Sequence, residues 1–266
     1  MSILEHNNVR VTGKNGPIIL YAHGFGCSQI MWDFILPAFV DTHKQITFDY
    51  VGNGQSDASA WSAERYSNLD GYVEDILDIC DELKLEKDVI LVGHSVSCSI
   101  AMLASIKRPG LFSKLILVGP TPSFLNHPPS YHGGFDREDL EGLMELMDQN
   151  YLGWSDYLAP TISGEELDSI TTTKFRENFG TTDPKIARAF ATACFFADNR
   201  EDVVKVKTPC LILQHAKDNL VPVKIGEYLH ENLADSELHL LDVSGHCAHM
   251  SHPDLVISAM KSYLKI

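Results

Sequence analysis

Ser95 lies in a sequence context that favours nucleophilic chemistry. It belongs to Gly-His-Ser-Val-Ser at 93–97, which follows the apolar run 88–92 and precedes a small-residue run with helical spacing at 98–104. A serine on a sharp turn between a strand and a helix is held in strained backbone geometry that exposes its hydroxyl beside the positive end of that helix. Ser97 stands where the general pattern has glycine, so the match is looser than the strict form. We predict that Ser95 is a nucleophile.

An acid and a base that could activate this serine follow it in the chain. Asp218 comes after the apolar run 210–214, and His246 lies in Ser-Gly-His-Cys after the run 238–243. Both runs predict late strands, and an acid followed by a histidine at the ends of late strands is the order that suits a serine on such a turn. We predict that His246 is the base and that Asp218 orients it.

A glycine-containing loop near the start of the chain completes this arrangement. His-Gly-Phe-Gly at 23–26 follows a short buried strand predicted at 18–22. Glycines let backbone amides point into a cleft, where they can bind the negative charge that develops on an attacked carbonyl oxygen. The predicted donors of this oxyanion hole are the amides of Phe25 and of Val96, the residue after the nucleophile.

Three histidines near the C-terminus raise the alternative of a metal site. His246, His249 and His252 are spaced three residues apart. No carboxylate lies at a matching spacing, and a zinc ion would take the base that Ser95 needs. We therefore expect no metal and no cofactor, and we expect His249 and His252 to cap a helix or to bond loops.

Composition indicates a single globular unit. The chain has 266 residues with 44% apolar content, which suits one large core or a core plus an insertion. Its 21 basic and 36 acidic side chains give a net charge of −15, which argues against a nucleic-acid or anionic-membrane partner. Six scattered cysteines predict reduced thiols, and neither a signal segment nor an apolar run of about 20 residues is found. We expect a cytoplasmic protein.

Strand and helix patterns alternate along most of the chain. The helical run 69–83 places Tyr72, Ile76, Ile79 and Leu83 on one face, and a last helix is predicted at 256–264. Such alternation predicts a mainly parallel sheet covered by helices. The predicted strands are 9–11, 18–22, 45–49, 88–92, 114–119, 210–214 and 238–243.

Strand patterns vanish between residues 121 and 202, where helical patterns dominate. We predict a helical cap at 121–202 inserted into a core formed by 1–120 and 203–266. A cap over the carboxyl ends of parallel strands would cover the ligand site. Phe135 and Phe196 are the favoured pocket residues. The wider set of candidates is Phe124, Met144, Met147, Trp154, Tyr157, Phe190 and Phe195.

Several segments spread over the whole chain resemble RsbQ-type α/β-hydrolases, bacterial regulators of the sigma-B stress response. The chain is also similar to the plant karrikin and strigolactone receptors, which share Gly-His-Ser-Val-Ser, so Ser97 is a departure that this branch tolerates. The resemblance implies an α/β-hydrolase fold with a mainly parallel eight-stranded sheet, a four-helix cap and a small apolar cavity. The segments that carry it are 23–27, 48–52, 93–96, 102–105, 133–135 and 245–253.

The resemblance implies a Ser-His-Asp hydrolase of a small hydrophobic ester- or lactone-like molecule, with an RsbQ-like role beside a partner phosphatase that carries a sensory domain. One alternative is a receptor or regulator with little turnover that activates such a phosphatase. Another keeps the same residues but acts on thioesters, on carbon–carbon bonds of dienones or in perhydrolysis. Dehalogenase and epoxide hydrolase chemistry is disfavoured because it needs an aspartate where Ser95 stands.

Overall fold

The computed structural model describes residues 2–14 and 16–266, whose strands form one sheet. The strand order is 1-3-2-4-5-6-7; the first strand is antiparallel to the third, and all other pairs are parallel. Each of the seven apolar runs identified in the sequence forms one of these strands. They are β1 (Arg10–Gly13), β2 (Ile18–Ala22), β3 (Lys44–Thr47), β4 (Val89–His94), β5 (Phe112–Val118), β6 (Cys210–Lys217) and β7 (Ser236–Ser244).

The resemblance implies eight strands, but the residues that the structure describes form a sheet of seven, so the expected number is wrong there. Ahead of β1 the chain forms a short helix, α1 (Ile3–His6). The Ser2 hydroxyl accepts from the Glu5 amide, and the Glu5 carboxylate accepts from the Ser2 amide. This capping box satisfies amides at the helix start and favours the helical form of the segment.

Helices cover both faces of the sheet, because a parallel sheet is apolar on both sides. All six residues of β4 are buried. The helix predicted at 69–83 spans 69–82 and buries Tyr72, Ile76 and Ile79 as its spacing indicates. The remaining helices outside the β5–β6 connection are α2 (Leu69–Glu82), α3 (Val96–Lys107), α9 (Val223–Asn232), α10 (Ala248–Ser251) and α11 (Pro253–Leu264), with short 3-10 turns at Gln29–Trp32, Leu36–Ala38 and Ala58–Ala60.

The long connection between β5 and β6 is helical. Four helices of 12 or 13 residues follow one another there, and a short fifth leads into β6. They are α4 (Arg137–Gln149), α5 (Tyr151–Ser163), α6 (Ile170–Thr181), α7 (Pro184–Phe195) and α8 (Arg200–Val203).

Two further features of the described ranges bear on the predictions from composition. No helix there is both long enough and apolar enough to cross a membrane. All six cysteines are buried and unpaired, as their scattered spacing predicts.

Candidate active site

Ser95 lies on the turn between β4 and α3 with strained backbone angles, φ 57° and ψ −124°. The turn is held on both sides, since the Ser95 amide donates to the Val118 carbonyl at 2.9 Å and the Ser95 carbonyl accepts from the Cys98 amide at 2.9 Å. Gly93 is required here because a Cβ at that position would overlap the carbonyl oxygen of Ser97. A side chain held at a positive φ by its surroundings is typical of a functional position.

Ser97 links this turn to the glycine-containing loop. Its hydroxyl lies 2.5 Å from the His23 carbonyl oxygen and 2.9 Å from the Tyr50 hydroxyl. A serine hydroxyl has one proton, so Ser97 donates to His23 and accepts from Tyr50. Glycine could not make either bond, which gives a physical reason for serine at the position where the general pattern has glycine.

Asp218 and His246 lie next to each other on the loops that follow β6 and β7. Nδ1 of His246 is 2.7 Å from Oδ2 of Asp218, while Oδ1 accepts from the Leu220 and Val221 amides at 2.8 and 3.0 Å. Burial by itself raises the pKa of the Asp218 carboxyl, but the neighbouring His246 and His215 outweigh it and hold that pKa well below its usual range. The charged carboxylate therefore keeps the His246 proton on Nδ1.

The other ring nitrogen of His246, Nε2, is buried and has no hydrogen-bond partner within the described ranges. His246 and Ser95 line the same cavity. With its proton held on Nδ1, the ring presents a lone pair at Nε2 that can accept a proton. The structure thus brings Ser95, His246 and Asp218 to one place.

The amides of Phe25 and Val96 are available as donors. Neither donates to another protein group within residues 2–14 and 16–266. Val96 is the first residue of α3, so its N–H has no acceptor within the helix. Phe25 lines the same cavity as Ser95. Two free amides beside a candidate nucleophile can stabilise an oxyanion.

Buried histidines surround His246. Nε2 of His94 lies 2.9 Å from the His246 carbonyl oxygen and donates to it. The ring of His249 packs on Trp32 at 4.8 Å between centroids. Burial and then the neighbouring histidine rings lower the pKa of both His94 and His249 well below the ordinary value. Both rings are therefore neutral around pH 7.

The histidines spaced three apart do not converge on one point. Both ring nitrogens of His249 lack a partner in the described part of the chain, so the expected loop bond is absent there. His252 is the N-cap residue of α11, but its side chain makes no hydrogen bond to that helix, and its Nδ1 lies 2.9 Å from the Ser251 hydroxyl.

The side chains whose geometry could hold a metal ion are His215, Asp218 and His246, with donor atoms within 4.8 Å of one another. An ion bound through Nδ1 of His246 would break the bond between that nitrogen and Asp218. Sequence reasoning did not identify His215, since a single histidine directly after the apolar run 210–214 carries no spacing signal.

A cavity of about 370 Å³ lies between the core and the helices α4–α7, with Ser95 and His246 in its wall. Phe135 is one of its lining residues. Phe196 is not: it follows the last residue of α7, faces an outer cleft and packs under the Arg137 guanidinium at 5.5 Å. Its neighbour Phe195 faces the cavity, because successive positions at a helix end point in different directions. The other apolar lining residues are Phe25, Phe124, Leu140, Leu143, Leu146, Tyr157, Leu158, Ile162, Phe175, Cys194 and Leu220.

The end of α5 is tied to the turn that holds His246. The His246 amide donates to the Ile162 carbonyl at 2.8 Å. Gly245 has φ +81°, and a Cβ there would overlap the Ser163 carbonyl oxygen. The close contact of these two backbones requires glycine at 245, and it couples the position of the histidine to the helices above it.

Gly245→Ala should therefore displace His246. We expect kcat/KM for p-nitrophenyl acetate to fall about 100-fold, because a misplacement of about 1 Å at a reacting group has that effect. The melting temperature should fall as well, since alanine is strained at this φ. Gly180→Ala in α6 is the control, because nothing lies within 4 Å of a Cβ there and activity should not change. Undiminished activity of Gly245→Ala would show that the histidine turn does not depend on this contact.

Ser95 lies on a turn between a strand and a helix, and the loops after two late parallel strands bring an acid next to a histidine. This arrangement defines a hydrolase of the α/β class. The chain belongs to the alpha/beta hydrolase family, whose sequence model matches residues 19–259.

Curated relatives and solved structures agree with this assignment. The chain is 38% identical over 266 residues to Karrikin insensitive 2 receptor CA of Petunia hybrida, covering 99% of this chain and 98% of the relative. It is 38% identical over 252 residues to a strigolactone esterase of Pisum sativum, covering 94% of each. The structure of a hydrolase from Oleispira antarctica is similar with a TM-score of 0.95 and 42% identity, covering 99% of this chain and 96% of that one.

Proposed function

We propose that the protein is a serine hydrolase that cleaves a small hydrophobic ester- or lactone-like molecule. The observation that carries this proposal is the pairing of Asp218 with Nδ1 of His246 at 2.7 Å, which leaves Nε2 unpartnered in the wall of the cavity that Ser95 also lines. The strained backbone of Ser95 supports it, since such geometry persists where function requires it.

In the first half of the reaction, Nε2 of His246 takes the Ser95 proton as the hydroxyl oxygen attacks the substrate carbonyl carbon. The amides of Phe25 and Val96 donate to the oxygen that becomes negative. When the tetrahedral intermediate collapses, the bond to the alcohol oxygen breaks and His246 gives its proton to that oxygen. Asp218 keeps the His246 ring in the productive tautomer throughout.

In the second half, water attacks the acyl group on Ser95. His246 takes a proton from the water and returns it to the Ser95 oxygen as the acid leaves, so the resting protein is restored. For a lactone, the alcohol and the acid are parts of one product molecule.

Residues 121–202 serve in this proposal as a cap over a core made of 1–120 and 203–266. The cavity beneath the cap is mostly apolar, and Asp139 is its one carboxylate among the described lining residues, with no lysine or arginine there. A small, uncharged and apolar substrate suits such a lining, because an anion would lose water without gaining a cationic partner.

Labelling of the wild-type protein tests the proposal. A fluorophosphonate should attach once per chain, and peptide mapping should place the adduct on Ser95. Uncharged p-nitrophenyl butyrate should turn over faster than the anionic p-nitrophenyl hemisuccinate. An adduct on another residue, or no adduct on folded protein, would refute the assignment of Ser95.

A second candidate is a small-molecule receptor or regulator with little turnover, and two observations favour it. The relative from Petunia hybrida is named a receptor. Large apolar side chains also stand exposed on and beside the cap helices, with Leu152, Leu167 and Ile170 exposed by 61%, 55% and 65%. Exposed apolar side chains such as these are available for contact with a protein partner.

In its specific form this candidate is an RsbQ-like regulator of bacterial stress signalling that works with a sensor phosphatase. We place it in the cytoplasm, because six unpaired cysteines stay reduced there. A burst of one equivalent of p-nitrophenol followed by almost no steady turnover would favour the regulator. Continued turnover at several per second would favour the enzyme.

A further inference from the structure

His215 is a buried histidine that the mechanism above does not use. Its side chain lies in β6 with no exposed surface, and neither ring nitrogen makes a hydrogen bond within the described ranges. Its Nδ1 is 3.3 Å from Oδ2 of Asp218. A buried donor that is left without an acceptor destabilises the fold, so the nearby carboxylate is the natural acceptor for the N–H of this ring.

Asp218 can accept from His215 without losing its other partners. Oδ1 is occupied by the Leu220 and Val221 amides, and Oδ2 accepts from Nδ1 of His246. A carboxylate oxygen has two lone pairs, so Oδ2 has room for one further donor. Together the four donors would fix both oxygens and prevent the carboxylate from turning away from His246.

We infer that His215 is a positioning residue, an inference that rests on the proposed function. Its ring carries a proton on Nδ1 and directs it at Oδ2 of Asp218, 3.3 Å away, which holds that carboxylate against His246.

The titratable groups around this pair come from several elements. His94 on β4 and His249 on α10 have pKa values lowered well below the ordinary value by burial and then by neighbouring histidines. Burial raises the pKa of the Cys247 thiol well above its ordinary value, and Cys27, Asp218 and Glu165 act in the same direction. Since these rings and the thiol are neutral near pH 7, the charge that His215 can act on is that of Asp218.

Two variants of His215 separate a positioning role from simple packing. His215→Leu removes the donor, whereas His215→Asn keeps an N–H group close to the place of Nδ1. For His215→Leu we expect kcat for p-nitrophenyl acetate to fall about tenfold or more, as loss of a hydrogen bond to a charged group predicts. KM should change little, because His215 does not line the cavity. His215→Asn should keep most of the activity.

The split between kcat and KM is the readout that a loss of packing would not reproduce. His249→Leu is the matched control: it also removes a buried histidine without hydrogen bonds, but its ring nitrogens make no approach to Asp218 that would count as a bond or ion pair. Its kcat should stay close to the wild-type value. EDTA in all assays keeps metal ions away from His215, Asp218 and His246.

The tautomer of His215 in the wild-type protein tests the inference even if a variant fails to fold. Long-range ¹H–¹⁵N correlation spectra should show the proton on Nδ1. A proton on Nε2, an unchanged kcat in His215→Leu, or equal impairment of His215→Asn and His215→Leu would overturn it. Because the spectra do not depend on turnover, failure of the inference is distinguishable from failure of the proposed function, which the labelling of Ser95 reports.

Discussion

Ser95→Ala should lower kcat for p-nitrophenyl acetate by about 10⁵- to 10⁶-fold, the loss expected when the nucleophile of a serine–histidine pair is removed. The reason is that no covalent intermediate can form, and the remaining groups only bind the substrate and polarise its carbonyl. Fluorophosphonate labelling should disappear in the same variant. Steady-state kinetics and intact mass measure both effects.

The fold should survive this change, since alanine removes one oxygen and keeps the backbone at 95 unaltered. The matched control is Ser99→Ala on the same helix, where the buried hydroxyl donates to the Thr121 carbonyl at 2.8 Å and does not face the cavity. That variant should lose about 1 kcal/mol of stability and keep its turnover. If Ser95→Ala retained even a tenth of the wild-type turnover, Ser95 would not be the nucleophile.

The sequence predicted where the strands end more reliably than which way side chains point. Ser95, Asp218 and His246 each follow an apolar run, and parallel strands carry such ends to one edge of the sheet. Their meeting therefore follows from the topology. The orientation of Phe196 was predicted wrongly, because the direction of a side chain at a helix end depends on packing that the spacing does not encode.

Long-range hydrogen bonds were also invisible in the sequence. Ser97 bonds a carbonyl 74 positions earlier in the chain, and His94 bonds the carbonyl of His246. The predicted strand 210–214 left His215 in the loop that follows, yet His215 lies within β6 and beside Asp218. Each of these contacts depends on the relative placement of separate elements, so a pattern within one element cannot predict it.

Asp218→Asn should lower kcat by about 10⁴-fold, as replacement of a triad aspartate by its amide does in enzymes of this mechanism. Three donors bond the wild-type carboxylate, namely the Leu220 and Val221 amides and Nδ1 of His246, whereas an amide offers one oxygen and one NH₂ group. If the NH₂ group faced the Leu220 and Val221 amides, those backbone N–H groups would lose their acceptor. A backbone amide cannot give up its proton to become an acceptor in turn. The NH₂ group should therefore face His246, whose ring can respond by moving its proton from Nδ1 to Nε2.

With the proton on Nε2 the ring cannot accept from Ser95, so the geometry survives while the base is lost. The deficit should persist across the neutral range, because the pKa of Asp218 lies well below its usual range and the wild-type carboxylate stays charged there. Asp242→Asn on β7 is the control, since its carboxylate is exposed beside Lys217 and activity should not change. Ser95→Ala/Asp218→Asn should be no slower than Ser95→Ala, because residues that act as a unit are not additive. Activity of Asp218→Asn within tenfold of the wild type would show that His246 does not need this carboxylate to hold its tautomer.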